Sequence, residues 1–188
     1  VLFRSFFVVD RRIVVDEAYE HATAIADALA NPRGPVTSKV AAALRVPGDE
    51  RVLDVTRMRG GVTWDWLWVE RPDRYAIVTG TVDQVGSRLL FRGYGVGENL
   101  RSVDAALVGT DSLIIVDEAH LVEAFRRTLT DALAADHSED LASLPRPLVV
   151  AMSATSGQAD GVHGITADDE QHEIAGRRLR APKRWHLV

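Results

Sequence analysis

The chain has 188 residues, 46% hydrophobic and 26% charged, with a net charge of −5 and no cysteine. That length holds one domain with a sizeable core but not two comfortable ones, and the composition is that of an ordinary globular protein. Disulfides and thiolate metal sites are excluded, the negative balance argues against coating nucleic acid through bulk positive charge, and no apolar run reaches the roughly 20 residues that span a bilayer.

In chain order, the first apolar run, Phe6 to Val9, predicts a strand, with Val1 to Ser5 outside the pattern. Asp10, Arg11 and Arg12 then interrupt the apolar stretch, which excludes a secretory signal and leads to the expectation of a cytoplasmic protein. Ile13 to Asp16 lead into a helix over 16–30, whose stripe of Ala18, Ala22, Ile25, Ala26 and Leu29 stops before Asn31-Pro32. Val52 to Val55 and Tyr75 to Val78 predict two more strands. Between them Trp64, Trp66 and Trp68 alternate like one face of a strand, where packing is favoured over base stacking. Residues 82–91 predict a short helix, and Thr81 and Gln84 have the spacing of a capping box.

Leu113 to Val116 predict a fourth strand. A helix over 119–135 follows, with Leu121, Phe125, Leu129 and Leu133 as its buried stripe. Residues 136–147 and 156–171 are mostly polar and predict loops on either side of a fifth strand, Leu148 to Met152. Short apolar runs alternating with helices predict an α/β chain built of βα units around a mostly parallel sheet.

The chemistry concentrates after the fourth strand, in Leu113-Ile114-Ile115-Val116-Asp117-Glu118-Ala119-His120. Four apolar residues deliver two adjacent acids to the carboxyl end of a strand, where open α/β sheets build their ligand crevice. Two carboxylates beside a core strand need a cation or donors. A metal-bound nucleotide meets that need, with Asp117 holding Mg²⁺ and Glu118 orienting and deprotonating the attacking water. The alternative makes Asp117 the N-cap of the helix over 119–135, with Glu118 favoured by the helix dipole.

Asp117-Glu118-Ala119-His120 is similar to the Walker B motif of superfamily 2, DEAH-type helicases, and Ser153-Ala154-Thr155 resembles their Ser-Ala-Thr motif. The resemblance implies a RecA-like P-loop NTPase fold, a three-layer sandwich, incomplete at its N-terminus. It implies ATP and Mg²⁺ as cofactors, and makes His120, Ser153 and Thr155 the link from the nucleotide site to strand movement. Without it, Ser153 and Thr155 are hydroxyls satisfying a strand-end turn. Val8-Val9-Asp10-Arg11-Arg12 resembles the family motif whose loop touches the DNA backbone. Thr79-Gly80-Thr81-Val82-Asp83-Gln84 and onward through Arg88 resembles the next nucleic-acid motif, so Thr79, Thr81 and Arg88 become strand contacts, with Gln84 capping the helix. An ordinary capped helix without a ligand is the alternative.

These segments, with Arg57-Met58-Arg59-Gly60-Gly61, most resemble the helicase-nuclease recruited by type I CRISPR effector complexes. That resemblance implies ATP-driven 3′-to-5′ tracking on single-stranded DNA, a Cascade-type effector complex as partner, and residues 176–188 leading into a second motor domain. Two departures qualify it. No Gly-x-x-x-x-Gly-Lys-Ser/Thr run occurs, since Lys39 and Lys183 both fail the pattern, and no His-Asp nuclease motif occurs among the histidines. The chain is therefore expected to be a partial motor domain, its phosphate loop and one further sheet strand lying upstream. Another DEAH-like restriction or repair helicase, and a non-catalytic RecA-like binding module, are the competing readings.

Overall fold

The computed structural model describes residues 3–60, 65–134, 145–154 and 163–182. The chain divides into two compact units, Val1–Ala154 and Thr155–Val188. In the first, strands β1 (Arg4–Val9), β2 (Asp54–Met58), β3 (Ala76–Thr81), β4 (Ser112–Val116) and β5 (Leu148–Ala151) form one sheet in the order β2-β3-β1-β4-β5. Every pairing is parallel, so all five carboxyl ends lie along one edge. The helices between them are α1 (Arg12–Ala30), α2 (Pro35–Leu44), α3 (Leu67–Glu70), α4 (Val82–Leu89), α5 (Glu98–Gly109) and α6 (Glu123–Ala134).

Alternation along the strands divides the sheet between two helical layers. Phe6, Val8, Val78, Ile114 and Val116 point to one face and are buried with Val85 of α4, Val108 of α5 and Leu129 of α6. Trp68 closes this core edge-on to Phe6 at 5.7 Å. The intervening residues Phe7, Ile77 and Ile115 face Val14, Ala18 and Ile25 of α1 across a cavity of about 510 Å³. One face is thus densely packed and the other loosely covered. All five expected strands are present, and the α/β class with a parallel sheet flanked by helices follows.

Several boundaries differ from expectation. The first strand starts at Arg4, not Phe6, because Arg4 is buried and donates to three carbonyls, Leu107 O at 3.1 Å, Pro72 O at 2.9 Å and Thr110 O at 3.3 Å. Phe3 stacks on Tyr75 at 5.0 Å, so these residues belong to the fold. The helix expected over 16–30 starts earlier, at Arg12, so that Ile13 to Val15 form its first turn, because burying Val15 outweighs β-branched propensity. The tryptophan segment is not a strand: Asp65 accepts the Leu67 amide at 2.9 Å and opens a helical turn that buries Trp68, while Trp64 lies outside the described residues. Helix α2, started by Gly34-Pro35, and helix α5 were not expected.

The second unit holds α7 (Ala167–Gln171) and α8 (Glu173–Leu179). Part of the loop expected over 156–171 is therefore helical. Thr166 and Asp169 close a capping box, the Thr166 hydroxyl accepting the Asp169 amide at 3.2 Å and the Asp169 carboxylate accepting the Thr166 amide at 2.9 Å. Among the described residues no helix is long and apolar enough to cross a membrane.

Candidate functional site

The acid pair sits where three parallel strands end side by side. The Asp117 amide donates to Val8 O at 2.9 Å, extending the β1–β4 ladder by one residue. Glu118 then turns the chain in the left-handed region, at φ 47° and ψ 45°. Met152 grips the turn from the other side: its amide donates to Val116 O at 2.8 Å, and its carbonyl accepts the Ala119 amide at 2.9 Å. Both acids therefore emerge at the carboxyl edge between β1 and β5, with Asp117 half-buried and Glu118 exposed.

This local geometry corrects the expected helix over 119–135. Ala119–Leu121 form a short 3₁₀ turn, and α6 starts afresh at Glu123. Asp117 is not the N-cap of that helix, because its Oδ1 accepts the next amide, Glu118 N, at 2.9 Å. The break also rotates Leu121 off the buried stripe and leaves it exposed, while Leu129 stays buried.

His120 joins the two motifs. Its Nδ1 lies 3.0 Å from Ser153 Oγ and 3.4 Å from Glu118 Oε2. When Nδ1 is bare it accepts from the serine hydroxyl; when protonated it donates to the glutamate. One ring atom thus connects the acid turn to the segment after β5. Ala154 is exposed beside Ser153, and Thr155 lies outside the described residues.

A cavity of about 320 Å³ opens beside the acids, lined by Asp10, Arg11, Asp117, Glu118 and His120. No group of three or more His, Asp or Glu side chains converges on a metal position among the described residues. Asp117 fits a Mg²⁺ held by one carboxylate plus water and phosphate oxygens, the usual arrangement for that ion, since only one of its oxygens is committed to the turn.

The residues expected to touch a nucleic-acid strand divide sharply. Arg11 and Arg12 are exposed at the start of α1. Near them Asp16 accepts from Arg57 Nη1 at 2.9 Å and Arg59 Nε at 2.6 Å, and the Arg57 guanidinium lies 4.7 Å from the Tyr19 ring centre. Thr79 and Thr81, by contrast, are buried within β3, and the Thr79 hydroxyl donates to Thr56 O at 3.5 Å. Gln84 closes no capping box, and Thr81 makes no side-chain cap bond. The Gln84 carboxamide instead accepts from Arg88 Nη1 at 2.8 Å, inside the core.

Arg88 is the clearest correction to a surface role. Its side chain is 0% exposed, its Nε lies 3.1 Å from Asp104 Oδ2 on α5, and Nη1 also reaches Gln84 O at 3.0 Å. Burial pulls the guanidinium pKa down and pushes the Asp104 carboxyl up, each partly restored by the other's charge. No local sequence signal exposes this pairing, because the two residues lie on different helices. Comparison of the chain with protein-family models, curated proteins and solved structures returns no match.

Proposed function

We propose that this chain is the acid-bearing part of the first motor domain of an ATP-dependent DEAH-type helicase, a RecA-like domain acting on single-stranded DNA. Within that class, the type I CRISPR helicase-nuclease, working with a Cascade-type effector complex, is the reading its motifs favour. The observation that carries the proposal is the contact between His120 and Ser153, which links two motifs 33 residues apart at one turn. A structural N-cap gives no reason for Glu118 to be exposed in a strained conformation at that junction.

In this reading Asp117 would hold the Mg²⁺ of bound ATP, and that ion would screen the phosphate charge. Glu118 orients and deprotonates the attacking water, and His120 relays the state of that carboxylate to Ser153. Arg11 and Arg12, exposed on the same sheet edge, are the strand contacts that survive from the sequence. Thr79, Thr81, Gln84 and Arg88 contribute through the scaffold.

Steady-state phosphate release tests the proposal. The 188 residues alone should show no turnover, because they contain no phosphate loop. In a parent chain that supplies the loop, Glu118→Gln should lower kcat roughly 10²- to 10⁴-fold, the usual contribution of a general base. Unchanged parent turnover would remove Glu118 from the chemistry and leave a binding module.

A further inference from the structure

The turn joining α4 to α5 plays no part in the reading above, yet it displays an unusual surface. Leu90, Phe91 and Tyr94 are 48%, 60% and 53% exposed, and Arg92 is exposed between the two aromatic residues. The backbone beneath them is held firmly. The Arg92 amide donates to Ser87 O at 2.7 Å, Phe91 N to Arg88 O at 3.0 Å, and Val96 N to Gly93 O at 3.2 Å. Gly93 has no room for a side chain: a Cβ would stand 2.7 Å from Cγ2 of the buried Val96. Phe91 itself holds φ 59°, a conformation bulky residues rarely adopt. The buried Arg88–Asp104 pair ties together the two helices that flank the turn. The rings are therefore held outward by a rigid base.

Arg92 and Tyr94 also line a cleft of about 760 Å³, together with Arg101, Leu121 and Phe125. The Arg101 Nε is buried there and has no hydrogen-bond partner among the described residues. Asp10 and Asp83, the latter in the first turn of α4, line the same cleft. Arg92 and Arg101 thus share the cleft with the exposed ring of Tyr94.

We infer that this turn is a stacking platform for single-stranded nucleic acid, Tyr94 and Phe91 taking bases and Arg92 and Arg101 the intervening phosphates. An occupant with both π faces and regular negative charge matches aromatic residues interleaved with arginine, and base stacking tolerates any sequence. The inference deepens the helicase reading and rests on it for the choice of a single strand, but the contacts it proposes, Phe91, Arg92, Tyr94 and Arg101, lie outside the acid turn.

Fluorescence anisotropy of the 188-residue chain with a labelled oligothymidylate of about 20 nucleotides tests it. Tyr94→Ala should weaken binding roughly 5- to 100-fold, and Tyr94→Trp should restore it. Arg92→Ala should reduce the slope of log affinity against log salt by about 0.7. An abasic strand of equal length, which loses stacking on both rings, should bind the wild-type chain at least as weakly as Tyr94→Ala binds the oligothymidylate. Circular dichroism should show unchanged folding for Tyr94→Ala, because the side chain is exposed. Equal affinities for wild type and Tyr94→Ala, or for abasic and base-bearing strands, overturn the platform. So does a strand affinity that falls with Arg11→Ala and Arg12→Ala alone, an outcome that leaves the helicase reading standing. Conversely, a Tyr94 effect that persists when Glu118→Gln leaves parent turnover unchanged supports the platform and removes the motor.

Discussion

Glu118 adopts a backbone conformation that glycine reaches freely and glutamate does not, at a cost on the order of 1–3 kcal/mol. Its contact with His120 is exposed at both ends and contributes little to stability. Glu118→Gly should therefore raise the stability of the chain by up to about 1 kcal/mol, read as a higher urea midpoint. In the parent chain it should lower turnover at least as far as Glu118→Gln does, because the carboxylate is gone. A lower midpoint would mean that the contacts of Glu118 outweigh its strain. Asp117 differs: its backbone continues the β4 ladder, so its position follows from the sheet, and only its side chain is available for chemistry.

Between elements, the Arg88–Asp104 pair holds α4 against α5 and so fixes the turn that displays Phe91 and Tyr94. Removing one member of a buried pair strands the other charge, so Arg88→Met should cost about 3–5 kcal/mol in chemical denaturation. A loss below about 1 kcal/mol would show that other contacts join these helices. The Asp104 carboxyl is raised by burial, with Arg88 pulling it partly back. A group that binds its proton more tightly when folded contributes stability that grows as pH falls through its folded pKa and is least favourable above it. Asp104→Asn should flatten that slope in the range above the ordinary carboxylate pKa of about 4. The strands were legible because runs such as Leu113 to Val116 are apolar throughout, and the acids and Ser153 were legible because they follow such runs. Helix α5 was not, since its buried face includes Asp104, an acid that reads as surface until its partner on α4 is known. Helix α2 buries only Ala41 and offers too thin a stripe to detect. For the same reason Arg88 resembled a surface cation, and a polar face of α4 concealed Gln84 and Arg88 turned inward.

Across the first unit, the sheet is unevenly held. β1, β3 and β4 each have two neighbours, whereas β5 joins through β4 alone, and its outer edge is unpaired among the described residues. Leu148 and Val150 on β5 are exposed, so little apolar burial secures the strand. Local opening takes least free energy where contacts are few. Native-state amide exchange should therefore be faster at Val150 and Met152 than at Phe6 and Val8, and equal rates would show that the five strands open as one. Since Met152 grips Ala119 and leads into Ser153, each excursion of β5 dismantles the acid turn while the core remains folded. The site should thus open at a lower free energy than the rest of the sheet.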